Sequence, residues 1–170
     1  MEYILPMYLA INNPQTVVTE AQSRIGTYYA AGVSCQCANF VRFVFNKVGI
    51  NLPSAQHPSD QYLIPYEPIG SGYANSFAGP EIGPAVKLRD IKPGDIVMYS
   101  NTYGDWPRGV ITHVGIYVGN GQIVHRPTSS GVVKTAALKY ATIAEIRRPK
   151  QFVNDDDKPN PKPTPVFGPP

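Results

Sequence analysis

The strongest hydrophobic pattern in the chain follows a cysteine near residue 37. Behind this cysteine, apolar residues recur at the spacing of one broad helix face, namely Phe40, Val41, Val44, Phe45 and Val48. Gly49 then supplies a stop signal, because glycine ends helices without steric cost. The pattern predicts a helix that carries Cys37 in its first turn.

A shorter helix is predicted ahead of the cysteine. Thr16 has the character of an N-cap, and Glu20 follows it in the first turns of a helix that runs to about Ile25. Residues 1–15 are apolar and turn-rich, and we interpret them as a lead-in to the domain.

Strand patterns dominate the second half of the chain. The runs at 96–99, 111–118, 122–126 and 142–147 predict strands, and 131–133 is a candidate short strand. Tight turns join consecutive runs, as in an antiparallel meander. Helices followed by such a meander make an α+β fold, which we assign to a single domain over residues 16–149.

Two stretches have no regular pattern. Residues 51–90 are dense in Pro, Gly, Ser and Tyr, and we expect a short helix near 57–64 and an extended loop across one side of a site. A surface insertion without a function fits the same composition. Residues 150–170 hold three consecutive aspartates and alternating prolines, which predicts a disordered tail.

The composition narrows the class of protein. With 170 residues, 42% hydrophobic and 16% charged, the chain is long and apolar enough for one globular core. The net charge of +3 includes no basic run, which argues against nucleic-acid binding. No segment has the roughly 18 apolar residues of a membrane span. We also expect no signal peptide, because Glu2 and Pro6 interrupt the first ten residues.

The two cysteines, Cys35 and Cys37, are expected to be thiols. Their spacing is too tight for a redox pair, and no second pair completes a zinc site. At a helix N-terminus, unpaired N–H groups and the helix dipole would shift Cys37 toward the reactive thiolate. A buried structural cysteine is the alternative, so a catalytic role requires a base elsewhere in the chain.

Three histidines are candidates for that base. His57 lies in the irregular region before a proline, which is typical of a surface loop. His113 and His125 lie on consecutive predicted strands, and they are useful together only if they share a face of the sheet.

The turn between these strands determines whether His113 and His125 lie on the same face of the sheet. A two-residue loop at 120–121 would place Ile116 opposite His125 and separate the histidines. A three-residue loop at 119–121, with Gly121 left-handed, would place Gly115 opposite His125. His113 would then be a diagonal neighbour, roughly 7–8 Å away between backbones. We predict the second register because only it builds a site, with Cys37 as nucleophile, His113 as base and His125 orienting that base.

Several motifs together resemble the NlpC/P60 family of papain-like cysteine peptidases. They are Cys37-Ala38-Asn39-Phe40-Val41, Pro93-Gly94-Asp95-Ile96-Val97, Thr112-His113-Val114-Gly115-Ile116-Tyr117-Val118-Gly119-Asn120-Gly121 and Ile123-Val124-His125. The resemblance covers residues 16–148. It implies that the cysteine helix packs on an antiparallel sheet and that Cys37, His113 and His125 are the catalytic residues.

The resemblance also implies a substrate. Family members cut peptidoglycan stem peptides, often next to γ-D-glutamate, and the implied intermediate is a thioester on Cys37 with no cofactor or metal. Tyr29 and Gly32 match the tyrosine and glycine that precede the family's nucleophile. With Trp106, the only tryptophan, they are candidate substrate-binding residues.

The sequence departs from the family at the nucleophile, where Gln36-Cys37-Ala38-Asn39 replaces the usual Asp-Cys-Ser-Gly. Two alternatives are a CHAP-type N-acetylmuramoyl-L-alanine amidase, which has the same cysteine-then-histidine order, and a non-catalytic wall-binding module. The Gly-Asn-Gly turn and the second histidine favour NlpC/P60.

We expect synthesis in the cytoplasm and delivery to the cell wall by a phage or secretion machine, which the C-terminal tail would contact.

Overall fold

The computed structural model describes residues 12–31, 35–55, 74–106 and 109–157. The predicted helix near 57–64, His57, Gly32 and residues 158–170 lie outside these ranges. Helices α1 (Pro14–Ser23) and α2 (Gln36–Lys47) precede five strands. The strands are β1 (Ile96–Ser100), β2 (Ile111–Gly119), β3 (Gln122–His125), β4 (Lys134–Ala137) and β5 (Ile143–Arg147). The predicted α+β order is confirmed.

Helix α1 begins earlier than predicted. Its N-cap is Asn13, whose side-chain oxygen accepts a hydrogen bond from the Gln15 N–H at 3.0 Å. Pro14 occupies the first helical position, where its missing N–H is not needed. The prediction of Thr16 as the N-cap was therefore wrong. Thr16 lies inside the helix, and its hydroxyl donates to the Asn13 carbonyl at 2.7 Å.

The five strands form one antiparallel sheet in the order β4-β3-β2-β1-β5. β2 lies at the centre, so its residues have a neighbouring strand on both sides. The predicted short strand at 131–133 was misplaced. β4 begins at Lys134, and Val132 makes an isolated bridge to Tyr28 instead.

The sheet has two apolar faces. α2 covers one of them with four fully buried side chains of its predicted apolar stripe, Phe40, Val41, Val44 and Phe45. Strand residues that pack under this helix are Ile96, Met98, Val114, Ile116 and Val124. Their alternating neighbours form the second face, namely Val97, Tyr99, Tyr117, Ile123 and Ile146.

The described part of the 51–90 segment belongs to the core. Phe77 and Ile82 are buried in the cluster under α2. The Arg42 guanidinium lies 4.5 Å over the Phe77 ring and donates to the Leu52 carbonyl at 2.6 Å. These residues are therefore not a surface insertion. No helix in the described ranges is long and apolar enough to cross a bilayer.

The packed structure continues past the predicted boundary at residue 149. Phe152 is 5% exposed, and its ring centroid lies 6.1 Å from that of Phe45. Asp157 accepts a hydrogen bond from Arg148 at 2.9 Å. The predicted tail therefore starts too early, because one aromatic and one acidic side chain anchor residues 150–157 to the domain.

Candidate active site

The turn between β2 and β3 combines a tight loop with a bulge. Asn120 and Gly121 have φ values of 53° and 69°, the left-handed pair that a two-residue hairpin loop requires, and Gly119 pairs with Gln122 across it. The register then shifts between Tyr117 and Gly119, where Gly119 itself has φ 99°. The loop is therefore shorter than predicted, and the bulge adds the extra residue.

The predicted register is nevertheless confirmed. Beyond the bulge Ile116 pairs with Val124, and continuation of this ladder puts Gly115 opposite His125. A Cβ atom on Gly115 would lie 3.3 Å from the Cβ of His125, closer than most real contacts of this kind. The missing side chain therefore gives the His125 imidazole its room.

The two histidines form a hydrogen-bonded pair. His113 Nε2 and His125 Nδ1 are 2.7 Å apart, and the ring planes are nearly perpendicular at 86°. The Tyr99 ring lies on the same side, with its centroid 6.3 Å from that of His113. Because Nε2 of His113 is engaged, Nδ1 is the nitrogen through which this imidazole can exchange a proton with another group.

Both imidazoles are neutral at neutral pH. Burial, with smaller contributions from His125 and Lys139, lowers the pKa of His113 to about 3. Burial and the charges of Lys134 and Lys139 lower the pKa of His125 to about 4. The pair therefore resists protonation and is available as a base over the physiological range.

These lowered values predict acid sensitivity of the fold. Unfolding returns each imidazole to a pKa near 6.5, so the unfolded chain binds more protons below that pH. The stability that the pair contributes is complete above about pH 6.5 and is lost as the pH falls toward 4. We expect the melting temperature of a His113→Gln/His125→Gln variant to fall less between pH 7 and 4.5 than that of the native protein.

The matched control is His57→Gln, which removes the third histidine. Carboxylates also titrate in this range, so the informative quantity is the difference in pH slope between variants measured by differential scanning calorimetry. Equal slopes in the native protein and in the double variant would contradict the assigned protonation states.

Cys37 occupies the second position of α2 and is 9% exposed. The preceding Cys35 is the N-cap, with a left-handed φ of 53°. Burial raises the pKa of the Cys37 thiol to about 11, although hydrogen bonds from the backbone of Val114, Ala38 and Cys37 itself and the charge of Arg126 lower it. The predicted net shift toward thiolate was wrong, because loss of hydration outweighs the helix N-terminus.

The Cys37 thiol approaches the sheet at the strand residue next to His113. The backbone of Val114, which lowers the pKa of this thiol, belongs to the residue next to His113. The pairing of β2 with β3 ends close to this position. The Val114 side chain packs under α2, whereas His113 points to the face that holds Tyr99. Within the described ranges no hydrogen bond joins the sulfur to either imidazole. The thiol and the base thus approach β2 at adjacent residues.

The remaining predicted site residues have different surroundings. The Tyr29 hydroxyl donates to the Asn39 carbonyl at 3.1 Å, and its ring packs against Phe40, so Tyr29 anchors the start of α2. Trp106 is half-buried and packs with Cys35 and Val110, which places it beside the loop that enters α2. Gly32 lies outside the described residues.

Arg126 is a residue of the site that the sequence analysis missed. Its side chain is buried, with 8% exposed, and its Nε–H donates to the Tyr29 carbonyl at 2.9 Å. Strand alternation gives Arg126 the same face as Val124, which packs with Cys37 under α2. The sequence did contain a signal for this residue, because a charged side chain directly after His125 occupies a position that strand alternation turns toward the core.

A helix that begins with a buried cysteine, packed on an antiparallel meander that carries two histidines, defines a papain-like α+β protein. The model of the NlpC/P60 family matches residues 26–147, and the chain belongs to this family. A γ-DL-glutamyl hydrolase of Bacillus subtilis is 30% identical over 132 residues, which is 74% of this chain and 26% of the relative. A probable endopeptidase p60 of Listeria monocytogenes is 31% identical over 113 residues, 64% of this chain and 18% of the relative.

Solved structures agree with this assignment. NlpC1 of Trichomonas vaginalis matches with a TM-score of 0.55 and 26% identity over 79% of this chain and 43% of that one. A P60 domain of Mycobacterium avium subspecies paratuberculosis has a TM-score of 0.56 and 19% identity, and the match covers 84% of this chain and 96% of that domain. The chain thus spans about a quarter or less of the two curated relatives, but nearly the whole of an isolated P60 domain.

Proposed function

We propose that this protein is a cysteine peptidase that hydrolyses amide bonds in peptidoglycan stem peptides next to γ-D-glutamate. The observation that carries the proposal is the 2.7 Å hydrogen bond between His113 and His125, next to Val114, whose backbone lowers the pKa of the Cys37 thiol. A nucleophile, a base and a group that orients the base are the three parts that acyl transfer needs.

The bond specificity is supported by the relatives' names. One relative is a γ-DL-glutamyl hydrolase, and another from Bacillus subtilis is a γ-D-glutamyl-L-lysine dipeptidyl-peptidase, 26% identical over 108 residues. Both names specify an amide formed by the side-chain carboxyl of glutamate. We assign the same class of bond to this chain.

The reaction starts from a neutral thiol and a neutral imidazole. Because burial holds the thiol pKa at about 11 and the His113 pKa at about 3, a preformed thiolate–imidazolium pair is disfavoured in the unliganded protein. We propose that Nδ1 of His113 accepts the thiol proton as the sulfur attacks the scissile carbonyl carbon. This step uses the tautomer in which Nε2–H of His113 donates to Nδ1 of His125, because that arrangement leaves Nδ1 of His113 able to accept.

The first turn of α2 stabilises the charge that develops. The carbonyl oxygen becomes an oxyanion in the tetrahedral intermediate, and backbone N–H groups at the helix start can donate to it. Collapse of the intermediate breaks the C–N bond, and the imidazolium returns its proton to the departing amine.

The second half of the reaction releases the acid product. Water attacks the Cys37 thioester while His113 takes one of its protons, and the second tetrahedral intermediate expels the thiolate. The imidazolium then reprotonates the sulfur, which restores the neutral pair. No metal or cofactor takes part in these steps.

Digestion of purified muropeptides tests the proposal. We expect the native protein to release products whose masses place the cut on the carboxyl side of γ-D-glutamate. His113→Gln should lower kcat by at least about 100-fold, the usual contribution of a general base. Products cut at another bond would reject the specificity, and undiminished turnover by His113→Gln would reject the assigned base.

A further inference from the structure

The Arg126 guanidinium is a buried cation with unused hydrogen-bonding capacity on the nucleophile's side of the sheet. Its side chain is more than nine-tenths buried, and Nε is satisfied by the Tyr29 carbonyl at 2.9 Å. Within the described ranges, the two terminal nitrogens donate to no protein group and no carboxylate pairs with the charge. A largely buried charge is costly unless it is paired, so an anion that reached these nitrogens would be stabilised.

An aromatic ring and a glycine lie next to the guanidinium. The guanidinium carbon lies 6.0 Å from the centroid of the exposed Tyr28 ring. Gly131 packs against both groups, since an added Cβ atom would be 2.5 Å from the Tyr28 ring and 3.0 Å from a terminal nitrogen of Arg126. The absence of a side chain at this position lets the backbone pack closely against the ring and the guanidinium.

Arg126 lies on the nucleophile's side of the sheet. It shares a face with Val124, in the cluster that contains Cys37, and its charge acts on the Cys37 thiol. The hydrogen bond to Tyr29 fixes the guanidinium to the residue that also anchors the start of α2. The guanidinium therefore lies on the helix side of the sheet, near enough for its charge to lower the pKa of the Cys37 thiol.

We propose that Arg126 is a specificity-determining residue that binds a substrate carboxylate, the α-carboxylate of the γ-linked glutamyl residue whose amide is cut. The inference rests on the proposed function. In a γ-glutamyl amide the α-carboxylate is free and is separated from the scissile carbonyl carbon by four C–C bonds, about 5 Å when extended. A guanidinium with two free terminal nitrogens is the side chain best suited to hold such a group, because it donates two parallel hydrogen bonds.

The test compares two synthetic peptides that correspond to the muropeptide cleaved in the function assay. One contains γ-D-glutamate, and the other contains D-isoglutamine, in which the α-carboxylate is replaced by an uncharged carboxamide. The native protein should prefer the carboxylate peptide by about 10- to 100-fold in kcat/KM, as expected for a hydrogen bond between charged groups. In Arg126→Gln the ratio of the two kcat/KM values should fall close to one, and Arg126→Lys should give an intermediate ratio.

The matched control is Arg89→Gln, the same substitution at an arginine whose side chain is 75% exposed. It should keep the native ratio, because it removes one positive charge without contact with the site. If Arg126 only supports the fold, its substitution lowers both kcat/KM values in proportion and the ratio stays at the native value, which would overturn the assignment.

The native protein alone also decides the matter if Arg126→Gln does not fold. Equal cleavage of both peptides would reject carboxylate recognition and leave the proposed function intact. Cleavage of neither peptide would instead reject the proposed function.

Discussion

Substitution of Cys37 by alanine is expected to abolish muropeptide hydrolysis, with a fall in kcat of at least about 10⁴-fold. The sulfur forms the acyl intermediate in the proposed mechanism, and the remaining groups cannot replace that bond. Because Cys37 is 9% exposed and alanine fits the same small volume, the variant should fold like the native protein. Turnover is followed by separation of the products and their identification by mass.

Cys35→Ala is the matched control for this experiment. Cys35 lies two residues away in the N-cap, where it packs beside Trp106, and it has no role in the proposed reaction. We expect the control to retain turnover within about tenfold, because the cap provides no side-chain hydrogen bond to α2. An inactive Cys35→Ala together with an active Cys37→Ala would show that the nucleophile has been assigned to the wrong cysteine.

The second large effect is expected at Arg148, far from the chemistry. Arg148 and Asp95 are 5% and 1% exposed, and two hydrogen bonds of 2.8 and 2.9 Å join them. Arg148 also donates to Asp157 at 2.9 Å and to the Asp90 carbonyl at 3.0 Å. The residue thus connects the turn before β1 to the segment that follows β5.

Arg148→Ala should lower the free energy of unfolding by about 3–5 kcal/mol, because it leaves the Asp95 carboxylate buried without its partner. For a domain of this size that corresponds to a melting temperature roughly 10 °C lower. The measurement is urea unfolding followed by tyrosine and tryptophan fluorescence. Burial already raises the pKa of Asp95 against the effect of Arg148, so the unpaired carboxyl should take up a proton more readily.

Two further variants test whether the unpaired Asp95 carboxylate causes the loss of stability in Arg148→Ala. Arg89→Ala removes an exposed arginine whose Nε lies 3.7 Å from the carboxylate of Asp90, and it should change stability by less than about 1 kcal/mol. Asp95→Leu added to Arg148→Ala should recover part of the loss, because it removes the unpaired charge. A loss at Arg148→Ala no larger than that at Arg89→Ala would mean that the ion pair does not hold the C-terminal segment.

Local patterns in the sequence were sufficient for the central elements. The apolar stripe behind Cys37 predicted α2, and all four of its residues from Phe40 to Phe45 are fully buried. Gly49, with φ 85°, ends the helix region as expected. These predictions succeeded because helix periodicity and glycine conformation depend on residues within a few positions of one another.

Other elements were predicted wrongly, one because a local signal was misjudged and two because distant residues decide them. α1 starts at Asn13 and Pro14 because a proline at the first helical position was the stronger signal than Thr16. Three of the four residues of β4, Lys134 and two alanines, have little strand preference, and β4 forms because β3 provides an edge for it to pair with. Phe152 was assigned to the tail, although its ring packs against Phe45, more than a hundred residues earlier.

The sequence by itself determined the NlpC/P60 family, the α+β order, the cysteine helix and the candidate histidines, because each depends on residue identity and short spacing. Only the tertiary structure decided how these parts meet. A bulge at Gly119 puts His113 and His125 within 2.7 Å of each other, and the sheet brings Val114 to the Cys37 sulfur. Burial then reversed the expected shift of the thiol pKa, since hydration depends on everything packed around a group and not on its neighbours in sequence.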